Sequence, residues 1–213
     1  MPNRMALDRT DVLLVIDVQN DFLPGGALGV ADGYAILPLV NRLARVFANV
    51  VITQDWHPAG HASFASSHPG AAPFSSVSMP YGKQVLWPDH CVQGSPGAEL
   101  HDELDTDAAF LILRKGANSL VESYSAVTEA DRKTTTGLAA LLKARGARRV
   151  FACGLATDYC VAFSALDARE AGFETFVIDD ACRAIDADGS LDAAWAKMNS
   201  AEVYRVQARE ILG

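Results

Sequence analysis

Apolar residues fall along the chain in two alternating rhythms. Residues 11–18 (DVLLVIDV) form a nearly continuous apolar run interrupted by Asp17, and 50–53, 109–113, 149–153 and 173–178 are runs of the same kind. Such short runs, rich in Val, Ile, Leu and Phe and bounded by Gly, Asp or Lys, predict strands, those at 50–53 and 149–153 buried, with a sixth over 202–206. Between them the spacing becomes helical. Ile36, Leu39, Val40, Leu43, Val46 and Phe47 share one face, and Pro38 is tolerated there because it falls in the first turn. Leu138, Leu141 and Leu142 form a second face closed by Gly146. Val161, Ala162, Ala165, Leu166 and Ala168 form a third, with Thr157 and Asp158 as capping residues before it and Gly172 after it. Leu191, Ala194, Trp195 and Met198 form a fourth.

Strands alternating with helices predict an α/β fold, with three layers (α/β/α) around a mostly parallel six-stranded sheet in one domain, residues 1–213. Residues 56–90 break the alternation. They are rich in Ser, Pro, Gly, Ala and His, show no period, and predict a long loop of the kind that carries function, here a metal-site or lid loop. In open parallel sheets, ligands bind beyond the carboxyl ends of the strands. The polar residues at those ends are Asp17, Asp55, Lys115 and, one turn into the following helix, Cys160. Each alone has an ordinary explanation as a turn Asp, a capping Asp, a solvated Lys or a small buried Cys. Their arrival at one edge is what points to chemistry.

Composition narrows the partners. A net charge of −8 over 213 residues, with no basic run, argues against a nucleic-acid or anionic-membrane surface. The first ten residues contain no apolar segment resembling a signal peptide, and the run at 12–18 is too short to span a bilayer. Cys91, Cys153, Cys160 and Cys182 form no CxxC pair, so reduced thiols in a cytoplasmic compartment are expected. Charge and apolar content leave the oligomeric state open.

A thiol at the start of a helix lies among unpaired N–H groups at the positive end of the macrodipole, which favours thiolate and leaves donors for an oxyanion. Cys160 is therefore the candidate nucleophile, Asp17 its base, Lys115 the charge that steadies both, and the N–H groups of Ala156 and Cys160 the oxyanion donors. Asp55 and His57, two apart in QDWHP, share one side of an extended segment, and His90 could complete a carboxylate and two-imidazole set for Zn, Fe or Mn. His61 is expected to be a solvated loop residue, though a further ligand or supporting role stays open, and His101 is expected to take no part. Trp56, Phe64, Trp87, Phe22 and Tyr124 offer aromatic surface near these groups, with Phe64 expected to serve as packing.

Several blocks carry a family likeness. IDVQNDF with PGGAL, QDWHPAGHASFASSHPG, WPDHCVQGSPGAELH, RKGAN with SYSA, and GLATDYCVAFSALDA resemble the bacterial nicotinamidases of the isochorismatase-like cysteine hydrolase superfamily. The blocks keep the family order over nearly the whole chain. The resemblance implies an Asp17, Lys115, Cys160 triad and one divalent metal, Zn or Fe, at Asp55, His57 and His90. It implies a pocket lined by Phe22, Leu28, Trp87 and Tyr124, and a cis peptide at Leu155–Ala156. The implied substrate is nicotinamide, with its ring nitrogen toward the metal and its carboxamide against the thiol. Hydrolysis would pass through a thioester, with the second water activated by Asp17 or drawn from the metal's shell. Pyrazinamide, a close isostere, would be accepted too, and the setting would be NAD salvage.

Rival readings are distinguished by the same residues. Isochorismatases of this superfamily use neither the cysteine nor the metal set, and carbamoyl amidohydrolases keep the triad without the metal. A binding-only relative would have lost a triad member. A redox-sensing thiol would need Cys153 or Cys182 close to Cys160.

Overall fold

The computed structural model describes residues 4–213. The strands are β1 (Val12–Ile16), β2 (Asn49–Asp55), β3 (Ser76–Met79), β4 (Gly82–Val85), β5 (Ala109–Lys115), β6 (Arg149–Leu155), β7 (Glu174–Arg183) and β8 (Tyr204–Val206). The helices are α1 (Leu37–Ala44), α2 (Leu138–Ala144), α3 (Ala162–Glu170), α4 (Ser190–Ser200) and α5 (Ala208–Leu212). Six strands form one sheet in the order β5-β2-β1-β6-β7-β8, and every pairing in it is parallel. All five residues of β1 are buried, as a central strand covered on both faces requires.

From β1 the chain first builds outward to β2 and β5, then returns to lay β6 on the other side of β1 and continues to β7 and β8. Right-handed crossovers in opposite directions put their helices on opposite faces, which gives the three layers. α1 packs on β1 and β7 beside α5, while α3 packs on β6 and β7 beside α4. Three small buried residues, Ala162, Ala165 and Ala168, let α3 lie close to the sheet. Under α1, Phe151 stacks on Phe176 at 4.6 Å and meets Phe47 edge-on at 5.2 Å.

The reversal between β1 and β6 opens a crevice at their carboxyl ends, the usual ligand position in such sheets. The strands approach closely there. A Cβ on Gly154 would sit 2.1 Å from the Ile16 carbonyl oxygen, and its φ of +117° suits glycine alone.

Three boundaries differ from the sequence expectation. Residues 56–90 are not structureless: β3 and β4 pair there as an antiparallel hairpin. Its exposed Ser76, Ser78 and Lys83 and its buried but polar Gln84 leave no apolar alternation strong enough to announce it. The helix at 36–47 starts with a tighter turn, Gly33–Ile36, and is regular over α1 alone. Thr157 and Asp158 do not cap α3, since no side-chain capping bond forms; Thr157–Val161 is a wide turn in which the Val161 N–H reaches back five residues to the Ala156 carbonyl at 3.1 Å.

Candidate active site

Asp17 follows β1 directly, in a left-handed conformation (φ 48°) that turns its carboxylate back over the sheet. Thr53 on β2 fixes it: the Asp17 N–H donates to Thr53 Oγ1 at 3.1 Å, and that hydroxyl donates to Asp17 Oδ1 at 2.6 Å. The other oxygen, Oδ2, lies 2.8 Å from Lys115 Nζ at the end of β5. Lys115 is buried, not the solvated strand end its residue type suggests. Its ammonium also donates to Asp55 Oδ1 at 3.2 Å and to the Ser123 carbonyl at 3.0 Å, and it stands 3.6 Å from Cys160 Sγ. Four separate elements thus bring Asp17, Asp55, Lys115 and Cys160 around one ammonium.

Burial would strip a proton from Lys115, but Asp17 and Asp55 hold its pKa well above the ordinary lysine value. Burial lifts Asp17 above the usual carboxylate range, against the pull of Lys115. The Cys160 thiol is pushed well up by burial, with Lys115 pulling down and the carboxylates of Asp17 and Asp55 pushing up. Burial beside two carboxylates thus opposes what the helix start offers the thiolate. The Lys115 ammonium, 3.6 Å from the sulfur, is placed to steady the anion once a base removes the thiol proton.

Asp55 ends β2, where Gln19 brackets it: the Asp55 N–H donates to Gln19 Oε1 at 2.7 Å, and Gln19 Nε2 donates to the Asp55 carbonyl at 2.8 Å. Asp55 Oδ2 lies 3.0 Å from His57 Nε2 and 3.5 Å from His90 Nε2, and these three side chains converge with all donor atoms within 4.8 Å of one another. The outer ring nitrogens are spoken for. His57 Nδ1 pairs with the Gly116 carbonyl at 3.0 Å and His90 Nδ1 with the Pro88 carbonyl at 2.8 Å, which aims both Nε2 lone pairs inward.

The cluster calls for a cation. Ionised Asp17, Asp55 and Glu122 against Lys115 leave two negative charges buried together. Burial would lower His57, yet Asp55 and Glu122 raise it to about 9. A proton on His57 Nε2 finds no aligned acceptor. A divalent ion bound by one carboxylate oxygen and two imidazoles meets the charge and the geometry together.

A narrow crevice lies above these groups. Phe22, Leu28, Trp87 and Tyr124 line it, as do Ala156, Cys160, Asp55 and His90. Trp56 does not reach it; its ring lies under the Arg114 guanidinium at 3.8 Å. Phe64 packs behind, edge-on to His57 at 5.4 Å. His61 is buried, contrary to the solvated loop expectation: Nδ1 pairs with Ser63 Oγ at 2.8 Å and Nε2 with the Asn118 carbonyl at 2.8 Å, so neither nitrogen is free for the donor cluster. The Leu155–Ala156 peptide is cis. All four cysteines are free.

Sequence reasoning missed Thr53, Gln19, Glu122, Tyr159 and Ile185. Glu122 lies 3.7 Å from His57 Nε2 and lines the crevice with Tyr159 and Ile185. No periodicity marks a loop carboxylate or amide that becomes buried only when strands distant in sequence meet; the one usable signal was position, since Gln19 and Tyr159 sit one or two residues from predicted site residues.

A model of the isochorismatase domain matches residues 11–209. The chain belongs to the isochorismatase family. Within that family it is 53% identical over 209 residues to the nicotinamidase of Acinetobacter baylyi, covering 98% of each chain. Its fold superposes on an Acinetobacter baumanii nicotinamidase pyrazinamidase with a TM-score of 0.95 at 51% identity, covering 96% of this chain and 99% of the other. A pyrazinamidase of Pyrococcus horikoshii solved in complex with zinc superposes with a TM-score of 0.75 at 38% identity, covering 93% and 99%. This isochorismatase-family chain is an amidohydrolase.

Proposed function

We propose that the protein hydrolyses nicotinamide to nicotinate and ammonia through a Cys160 thioester, and accepts pyrazinamide by the same route. The observation that carries this is the single Lys115 ammonium between Asp17, Cys160 and the Asp55 cluster, at the floor of a crevice with aromatic walls. A flat ring fits between Phe22, Trp87 and Tyr124, and its carboxamide then faces the sulfur. Whole-length identity to nicotinamidases supports the same choice of substrate.

Asp17, lifted by burial, takes the Cys160 proton while Lys115 steadies the sulfur anion. The thiolate attacks the carboxamide carbon, and the N–H groups of Ala156 and Cys160 receive the developing oxyanion. Asp17 returns its proton to the nitrogen as the C–N bond breaks, releasing ammonia and leaving the thioester. Asp17 then takes a proton from water, whose oxygen attacks the same carbon. The C–S bond breaks, the thiol is restored and nicotinate leaves. Asp55, His57 and His90 would hold one divalent ion, Zn or Fe with Mn also suited, which when bound supplies a Lewis-acid anchor for the ring nitrogen.

The four free thiols suit a reducing cytoplasm, and recycling of the nicotinamide of NAD is the natural use of such an activity. No described helix is long and apolar enough to cross a membrane. The test is ammonia release from nicotinamide by the purified protein, beside Cys160→Ala and a chelated arm. Release that the substitution abolishes and chelation suppresses supports the reading. No release by folded, metal-loaded protein overturns it, and hydrolysis of carbamoyl amides in its place would favour the rival superfamily activity.

A further inference from the structure

The turn that carries Cys160 also holds a second segment in place. Asp158 is 5% exposed yet caps nothing on its own helix. Its carboxylate reaches across to residues 184–190. Oδ1 accepts the Ile185 N–H at 3.0 Å, and Oδ2 accepts the Asp186 N–H at 2.8 Å and the Ser190 hydroxyl. Hydrogen bonds to an ionised acceptor are the stronger kind. Ser190 opens α4, so the anion also sits at the favourable end of that helix.

The segment gains a defined shape from this anchor that its own backbone does not favour. Asp186 and Asp188 both stand in the left-handed region, at φ 51° and 52°, and both are exposed. Yet Ile185, beside them, lines the crevice with Tyr159 and Cys160. Asp158, Tyr159 and Cys160 are consecutive, so anchor, aromatic wall and nucleophile are parts of one turn.

We propose that Asp158 is a positioning residue that pins residues 184–189 as a strap over the crevice, so that Ile185 closes the apolar wall against the substrate ring and restricts which ring substituents enter. The inference rests on the aromatic-amide reading above and adds what sets its selectivity. Without the anchor the strap swings outward, the ring loses contact on one side, and the space beside it opens. The sulfur, its base and Lys115 keep their places, so binding and selectivity change more than turnover.

The test compares wild type, Asp158→Asn and Ile185→Ala with nicotinamide and with ring-methylated nicotinamides, taking kcat and KM separately. One methyl's worth of pocket contact discriminates by roughly tenfold or more, so Asp158→Asn is expected to raise KM about tenfold with kcat within about twofold, and to narrow the preference for the unsubstituted ring by a similar factor. Native-state proteolysis supplies a readout without substrate: Asp158→Asn is expected to speed cleavage within 184–189. Ile185→Ala is expected to narrow the same preference while keeping the wild-type cleavage rate. An Asp158→Asn protein with wild-type KM, preference and cleavage rate overturns the proposal, as does a fall in kcat alone. An unchanged preference in Ile185→Ala overturns the wall. Should wild type release no ammonia from nicotinamide, the functional reading fails first, and the cleavage rate still decides the strap. Where Asp158→Asn does not fold, Ser190→Ala removes one of the three bonds, and the same shifts, smaller, are required of it.

Discussion

The Lys115 ammonium lies 3.2 Å from Asp55 Oδ1, and through this contact one cation joins the surroundings of the thiol to the metal-binding cluster. Its other carboxylate partner, Asp17, is 2.8 Å away, and all three side chains are buried. Lys115→Met keeps the length of the chain and removes the charge. It leaves Asp17 without its cationic partner and Asp55 with His57 alone, so a loss of about 3–5 kcal/mol is expected from urea unfolding of the metal-free protein. Ammonia release should fall at least about a hundredfold even where the variant is folded, since the developing sulfur anion loses its partner. Full stability in the variant would mean that the carboxylates are not both ionised.

Asp17 and Lys115 push the Cys160 thiol in opposite directions, and this separates reactivity from catalysis. Lys115 lowers the thiol's pKa and Asp17 raises it. Asp17→Asn removes one of the upward pushes, leaving burial and Asp55 opposed by Lys115, so more thiolate is present at any given pH than in the wild type. Alkylation of Cys160 by iodoacetamide should therefore speed up near pH 7, with its pH profile moved to lower pH, while hydrolysis is lost because no base remains to shuttle the proton. Cys91, Cys153 and Cys182 do not line the crevice, so one thiol should react in the native protein and four after denaturation. Slower alkylation in Asp17→Asn would reverse the assigned sign.

Much of this arrangement was legible before any geometry. The continuous apolar runs marked the five longer strands of the sheet: the central strands are buried on both faces and need no polar alternation, whereas the edge strand β5 leaves Phe110 and Ile112 exposed although its run is equally apolar. The rule for parallel sheets then drew Asp17, Asp55, Lys115 and Cys160 to one edge, where they meet. What escaped was set by contacts between distant segments. Lys115 looks like a surface lysine until two carboxylates bury it, and the same two carboxylates oppose the thiolate that the helix start favours. Asp158 has the residue type of a cap but spends its carboxylate on residues 27 to 32 positions away. The β3–β4 hairpin is too polar to show a period, yet it delivers Gln84, whose side-chain amide donates to the Tyr124 hydroxyl at 2.7 Å.

Gly116 is expected to control metal affinity without being a ligand. Its φ is +73°, its carbonyl pairs with His57 Nδ1, and a Cβ there would stand 2.7 Å from His57 Cε1 and 2.8 Å from Asp55 Oδ1. Gly116→Ala must therefore move two of the three converging side chains. Loss of such supporting contacts typically costs 10–100-fold in metal affinity. Metal content after dialysis against a graded chelator would report it, with a matching loss of ammonia release that excess Zn or Fe restores. Wild-type retention of metal in the variant would place the ion elsewhere.

The buried thiols give the fold a directional response to alkali. Burial pushes Cys91, Cys153 and Cys160 well above the ordinary thiol value of 9.0, and Cys182 up to about 12. A group whose pKa is raised by folding holds its proton in the native state after the unfolded chain has released it. Its contribution is then fully present below the unfolded value and is lost as pH rises toward the folded one. Stability should accordingly fall between about pH 9 and 12, by up to about 1.4 kcal/mol per pH unit for each thiol. Cys153 touches no part of the crevice, so Cys153→Ala should flatten this slope by about one proton while leaving ammonia release intact. Urea midpoints across that range would measure it, and a slope unchanged by the substitution would show that Cys153 ionises alike in both states.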